Sequence, residues 1–215
     1  MNQIKQIYNV LFKKYGPQHW WPVTTDNKEF EIIIGCILTQ NTAWKNVEKA
    51  IANLKANDLI SVEAIDKTSK EKLASLIKSS GYYNQKAERL LLITSFLKEN
   101  CNAHLNKIPT PKLRQMLLEI KGVGNETADS ILLYALNRPV FVVDAYTRRI
   151  FSRLGLIEEN ATYHEIQALF HKNLEPDAAL FNEYHALLVE HAKRFCRKKP
   201  VCKDCPLKGL CRQNS

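Results

Sequence analysis

No apolar run in the chain approaches the ~18–20 residues that a membrane-spanning helix needs. The opening stretch, Met1 to Val10, is polar and amphipathic and has no signal-peptide apolar core. These absences predict a soluble, cytoplasmic protein with no membrane partner. There is no internal repeat and no low-complexity tract, which argues against a solenoid or a disordered array. No linker of biased composition separates one part from another, so any two-domain division must share an interface or be discontinuous in sequence. Strand signals are almost missing. The one strand-like run, Pro139 to Val143, is short enough to be an extended connection.

What is present is helical periodicity. Ile4, Ile7 and Leu11 form one apolar stripe, Phe30, Ile33, Ile34 and Ile37 a second, and Leu90, Leu91, Ile93 and Leu97 a third. Leu113, Leu117 and Ile120 follow a Pro-Thr-Pro start at 109–111, where proline suits a first helical turn. Residues 125–136, 143–154 and 178–195 also read as helices, and Gly81, Gly122, Gly124 and Gly155 mark breaks between them. The fold class expected is all-α. Hydrophobic residues make up 45% of 215, enough for a substantial core.

The formal net charge is +9, from 31 Lys and Arg against 22 Asp and Glu. That balance suits a partner rich in phosphate, although a generic basic surface would give the same sum. Of six cysteines, Cys196, Cys202, Cys205 and Cys211 fall within the last 20 residues. In a reducing compartment such a set reads as a metal site rather than a disulfide framework. Their spacing, C-x5-C-x2-C-x5-C, suits a [4Fe–4S] cluster or zinc. Zinc sites more often carry two C-x2-C pairs, and this set has one. Cys36 and Cys101 lie in apolar helical surroundings and are expected to be buried free thiols.

The most informative segment runs from Glu119 to Ala128. A helix ends at Ile120, two glycines one residue apart make a tight turn, and a second helix begins near Asn125. Glycines let successive backbone N–H groups point one way, and the next helix N-terminus adds unpaired donors. Gly122, Val123, Gly124 and Thr127 are therefore candidate DNA-binding residues, with Lys121 as a second phosphate contact. A plain capped turn between helices is the alternative. Further along, Asp144 follows an apolar run and precedes Ala-Tyr-Thr-Arg, which makes it a good helix N-cap. Arg148 and Arg149 are further phosphate candidates, as are the basic residues Arg194, Arg197, Lys198, Lys199 and Lys203 around the cysteines, each with a solvated surface role as its alternative.

Taken together these segments resemble the helix-hairpin-helix DNA glycosylases of the endonuclease III superfamily. The resemblance rests on Leu38-Thr39-Gln40-Asn41-Thr42, on Gly81 to Ala87, on the glycine hairpin, on Val142-Val143-Asp144 followed by Arg148 to Gly155, and on the cysteine set. It covers about residues 20–211. Trp20-Trp21-Pro22, Trp44 and Lys121 to Asp129 are most similar to the 3-methyladenine DNA glycosylase III branch. What the resemblance implies is a six-helix barrel over 27–136 that includes the hairpin at 112–136. Residues 1–26 with 137–215 would form a second helical lobe, carrying an iron–sulfur loop at 196–211. The superfamily's first cysteine gap is usually six residues, and the 3-methyladenine branch need not carry the cluster.

The resemblance also implies a reaction on double-stranded DNA containing a damaged base, by a monomer. The nucleotide is flipped out of the stack, and Asp144 would stabilise positive charge on the sugar or orient a water. Trp20, Trp21, Trp44, Gln40 and Glu126 would line the base pocket, with Gln40 also the candidate wedge. Bifunctional family members place a Schiff-base lysine two residues after the second hairpin glycine. Glu126 stands there, so a monofunctional glycosylase is expected. An alkylated purine such as 3-methyladenine is a cationic leaving group that aromatic faces bind well. Uracil, mismatched thymine or an oxidised pyrimidine remain open as substrates. A non-catalytic DNA-structure binder and an iron–sulfur electron carrier are the readings outside that chemistry.

Overall fold

The structure, a computed structural model, describes residues 2–100 and 105–212. The expectation for Cys101 lies outside them. All regular structure among the described residues is helical. The chain divides into two compact units, residues 21–138 and residues 1–20 with 139–215. The dividing points are therefore 20/21 and 138/139, where the family resemblance implied 26/27 and 136/137.

The continuous unit is organised around α2 (Lys28–Leu38). Its pattern predicts one apolar stripe, yet every residue from Phe30 to Leu38 is buried, as for a helix surrounded by others. It packs against α3 (Trp44–Lys55), α6 (Tyr83–Glu99) and the segment Ile131–Ala135. The short helices α4 (Val62–Asp66) and α5 (Lys70–Leu76) pack on α6. Ser61 caps α4 through the Ala64 amide and Ser69 caps α5 through that of Lys72. The hairpin joins α7 (Thr110–Glu119), which has Pro109 at its N-cap, to α8 (Asn125–Ser130). From α8 the chain passes into one π-helical stretch, Ile131–Ala135, all five residues of which are buried.

The discontinuous unit comprises α1 (Gln3–Tyr15), α9 (Ala145–Arg153), α10 (Tyr163–Asn173) and α11 (Ala178–Arg194). Its core is aromatic. Phe141 stacks on Phe170 with centroids 3.6 Å apart, and Phe181 and Tyr184 meet Phe141 edge-on. The fully buried Tyr184 donates its hydroxyl to Ile4 O at 2.8 Å, which fastens α11 to α1. Thr162 and Glu165 form a capping box that starts α10.

The run from Pro139 to Val143 is extended but pairs with no strand. Its backbone is satisfied instead by side chains of α10, spaced four residues apart. Tyr163 Oη accepts from Val143 N at 3.4 Å, Gln167 Nε2 donates to Phe141 O at 2.7 Å, and His171 Nε2 accepts from Phe141 N at 3.0 Å. One polar face of a helix takes the place of a neighbouring strand.

Candidate functional site

The hairpin turn is built mostly from backbone. Ile120 closes α7 in an extended conformation, and Val123 N donates back to Ile120 O at 3.0 Å. Val123, expected to offer its amide to DNA, uses it to close the turn. Gly122 has φ +87°, and a Cβ there would meet the Arg89 side chain. Gly124 has φ −97°, open to any residue. Open space surrounds the position its Cβ would fill, at the start of α8. Arg114 holds the two helices together, with Nε on Asp129 Oδ1 at 2.6 Å and Nη2 on Asn125 Oδ1 at 2.9 Å. Asp129 is fully buried, so this charge-assisted pair is unscreened by water.

Gln40 joins this turn to the C-terminal end of α2. Its Nε2 donates to Gly122 O at 3.1 Å and to Thr127 Oγ1 at 2.9 Å, while Arg89 donates to its Oε1. Thr127 is buried and its hydroxyl receives Gln40, because a buried hydroxyl beside an amide donor pairs with it. Gln40 is engaged at both ends of its amide, where the sequence reading made it the wedge. Lys121 is exposed and ion-paired to Glu88 at 2.9 Å, with Lys70 on the other Glu88 oxygen at 3.1 Å. The bonds from Lys121 and then Lys70 hold the Glu88 carboxyl below its usual range.

Below Gln40, the buried Lys86 donates from Nζ to Leu38 O at 2.8 Å and Ser80 O at 2.7 Å, capping the last turn of α2. Burial, then the nearby Arg89 charge, pushes its pKa down to about 8. Glu31, also buried, accepts from the backbone amides and hydroxyls of Thr24 and Thr25 at 2.7–3.1 Å. It thereby fixes the loop that follows Trp21.

The tryptophans separate. Trp20 lies in the discontinuous unit, whereas Trp21 and Trp44 lie together in the continuous one. Trp21 meets Trp44 edge-to-face at 5.1 Å and Tyr134 at 5.3 Å. A Cβ on Gly35 would collide with Trp21 Cζ2 at 2.6 Å, so that glycine makes room for the indole. Sequence reasoning missed Tyr134, which the π-helical stretch brings to the cluster. Nearby, burial and then the Glu126 charge push the Cys36 thiol well up, so that it stays protonated. Glu126 itself is exposed. Tyr82, in the segment from Gly81 to Ala87, is 65% exposed at φ +47°.

Asp144 caps α9: its Oδ1 accepts from Thr147 N at 2.7 Å. Its Oδ2 lies 3.6 Å from His185 Nε2 on α11, and both side chains are nearly enclosed. Burial pushes the Asp144 pKa up, but the His185 charge and the Thr147 amide outweigh it and hold the group below the usual carboxylate range. His185 had no signal in the sequence, since 40 residues lie between it and Asp144. Arg148 and Arg149, expected to meet phosphate, are engaged within the unit. Arg148 donates to Ala161 O, and Arg149 donates from Nε to Cys196 O at 2.8 Å and covers the Tyr146 ring. Backbone carbonyls where the chain turns draw these guanidinium groups inward.

Cys196, Cys202, Cys205 and Cys211 are free thiols that line one cavity of about 30 Å³. Arg153 Nη1 donates to Cys196 Sγ at 3.3 Å, and His191 Nε2 lies 3.8 Å from Cys205 Sγ. Burial holds His191 down at about 4, which keeps it neutral against the sulfur. Among the described residues, no three metal-binding side chains converge tightly enough for a single ion. Four thiols lining the same cavity are the donor chemistry of an iron–sulfur site.

An all-helical chain with a phosphate-type hairpin and a capped, ionised aspartate has the parts of a base-excising enzyme that acts on DNA. The model of the HhH-GPD superfamily base excision DNA repair proteins matches residues 34–176, and the chain belongs to that family. A Methanocaldococcus jannaschii protein, named as a candidate DNA repair glycosylase, is 53% identical over 212 residues, covering 97% of this chain and 95% of its own. The crystal structure of H. pylori 3-methyladenine DNA glycosylase (MagIII) bound to 1,N6-ethenoadenine is 31% identical, with TM-score 0.74 over 90% of this chain and 98% of that one. A trapped endonuclease III–DNA covalent intermediate gives TM-score 0.83 at 23% identity, covering 99% and 95%, a likeness of fold. No helix among the described residues is long and apolar enough to cross a membrane.

Proposed function

We propose that this base excision repair glycosylase is monofunctional and removes an alkylated purine such as 3-methyladenine from double-stranded DNA. The observation that carries this reading is the cluster of Trp21, Trp44 and Tyr134. Electron-rich rings favour a cationic base over a neutral one. The 31% identity to a 3-methyladenine glycosylase solved with a modified adenine supports the same substrate class.

In this mechanism the Gly122 and Gly124 amides and the first turn of α8 hold a phosphate of the damaged strand. Lys121 adds salt-dependent attraction. Tyr82, an exposed aromatic on a left-handed backbone, fills the gap left by the flipped base. Asp144, held ionised, stabilises the positive charge that develops on the sugar as the N-glycosidic bond breaks, and it orients the attacking water. The leaving purine carries away the bonding electron pair and needs no proton if it departs as a cation-derived neutral base. Glu126, in the position of the family's lysine, cannot form a Schiff base, so the abasic product stays uncut. Cys196, Cys202, Cys205 and Cys211 would hold a [4Fe–4S] cluster, which would supply a covalent cross-tie to a tail poor in apolar contacts.

Base release from duplexes carrying alkylated, deaminated and oxidised bases tests the reading. Release is expected from methylated purines, with strand scission only after alkali and no adduct trapped by borohydride. A trapped adduct, or release confined to uracil, mismatched thymine or oxidised pyrimidines, would overturn it. Iron and sulfide analysis with absorption near the visible thiolate-to-iron bands tests the cluster, and stoichiometric zinc would replace it.

A further inference from the structure

The two oxygens of Asp144 have different partners. Oδ1 is committed to the α9 cap through Thr147 N at 2.7 Å, while Oδ2 faces His185 at 3.6 Å. Only 12% of the Asp144 side chain and 9% of the His185 side chain reach solvent, so little freedom remains for either. The His185 ring is itself set by the edge of Phe141, centroids 6.5 Å apart at 76°, and Phe141 is the residue that α10 pins by both backbone groups. We propose that His185 is a positioning residue for base excision: it fixes the carboxylate plane so that Oδ2, the oxygen the cap does not use, is the one that meets the deoxyribose.

At 3.6 Å the contact is electrostatic rather than a formed hydrogen bond. It can shorten when substrate completes the site, as catalytic contacts often do. A 1 Å misplacement of a reacting group can lower a rate by about 100-fold. The inference rests on Asp144 being the catalytic carboxylate, and the experiment separates the two. Single-turnover base release from methyl-purine duplex DNA is measured for the wild type, His185→Phe, His185→Gln, Asp144→Asn and the double variant Asp144→Asn/His185→Phe. Binding to the same duplex and thermal melting are recorded for each.

The expected result is a loss of about 10- to 100-fold for His185→Phe with DNA affinity within about twofold. Partial recovery is expected in His185→Gln, whose amide can donate to Oδ2, and no further loss in the double variant relative to Asp144→Asn. If His185→Phe fails to fold, His185→Gln carries the comparison at an unchanged melting temperature. Full activity in a folded His185 variant, or a His185 loss that multiplies fully with that of Asp144→Asn, overturns the proposal. Undiminished release by Asp144→Asn would instead remove the catalytic reading itself.

Discussion

The hairpin and the Asp144 segment solve the same problem, holding a short irregular stretch still, in opposite ways. The hairpin is held locally: its turn closes on its own backbone, and its braces, Arg114 to Asp129 and Gln40 to Gly122, lie within the continuous unit. The Asp144 segment is held remotely. Its backbone is carried by α10 side chains 20–30 residues further on, and its carboxylate faces α11. A site made of backbone depends on conformation, so glycine is its signature. A site made of side chains also depends on distant partners, which its own segment does not reveal.

This contrast sets the order of the tests. The largest effect is expected from Asp144→Asn, which should lower base release by about 10²- to 10⁴-fold. DNA affinity, measured by fluorescence anisotropy, should stay within about threefold. Gly122→Ala should act on the other property. With φ at +87° and Arg89 in the way of a Cβ, it should destabilise the fold by about 1–2 kcal/mol in urea unfolding and weaken DNA binding. Loss of release at unchanged affinity in that variant would erase the distinction between the two regions.

A smaller effect is expected from Gln167→Leu, which removes the donor to Phe141 O at 2.7 Å. Stability should fall by about 1 kcal/mol, with a rate loss near tenfold and DNA affinity intact. The smallest concerns Lys86, whose folded pKa of about 8 lies below its ordinary 10.5. Between those values the unfolded chain binds the extra proton, so this residue's contribution is fully present above pH 10.5 and is lost as pH falls through 8. Lys86→Met should flatten the rise of unfolding free energy across that window, and an unchanged slope would count against the buried ammonium.

Much of the hairpin was legible in advance because Gly122 answers to a local rule, and so was the capping geometry of Asp144, since an aspartate before a helix start has a short-range partner. The all-helical class followed from periodicity. The stripe of α2 was visible but not its burial on every side, which depends on what packs around it. Thr127, Arg148 and Arg149 were assigned outward because polar residues near a DNA motif look like contacts, while the fold uses them for itself. Tyr134 and His185 could not be foreseen, one placed by a change of helical pitch and the other by a tertiary approach.

The hydroxyl of Tyr184 on the carbonyl of Ile4 spans 180 positions of chain. As synthesis proceeds from the amino end, α1 must wait with Ile4, Ile7 and Leu11 uncovered until α11 has been made, while the intervening 21–138 unit can already fold. That prior folding draws the two distant segments nearer, replacing a long floppy loop with a structured insert and lowering the entropy lost when they meet. A cut between residues 138 and 139 would therefore spare the early-folding half and strand the first helix without the surface it was built to cover.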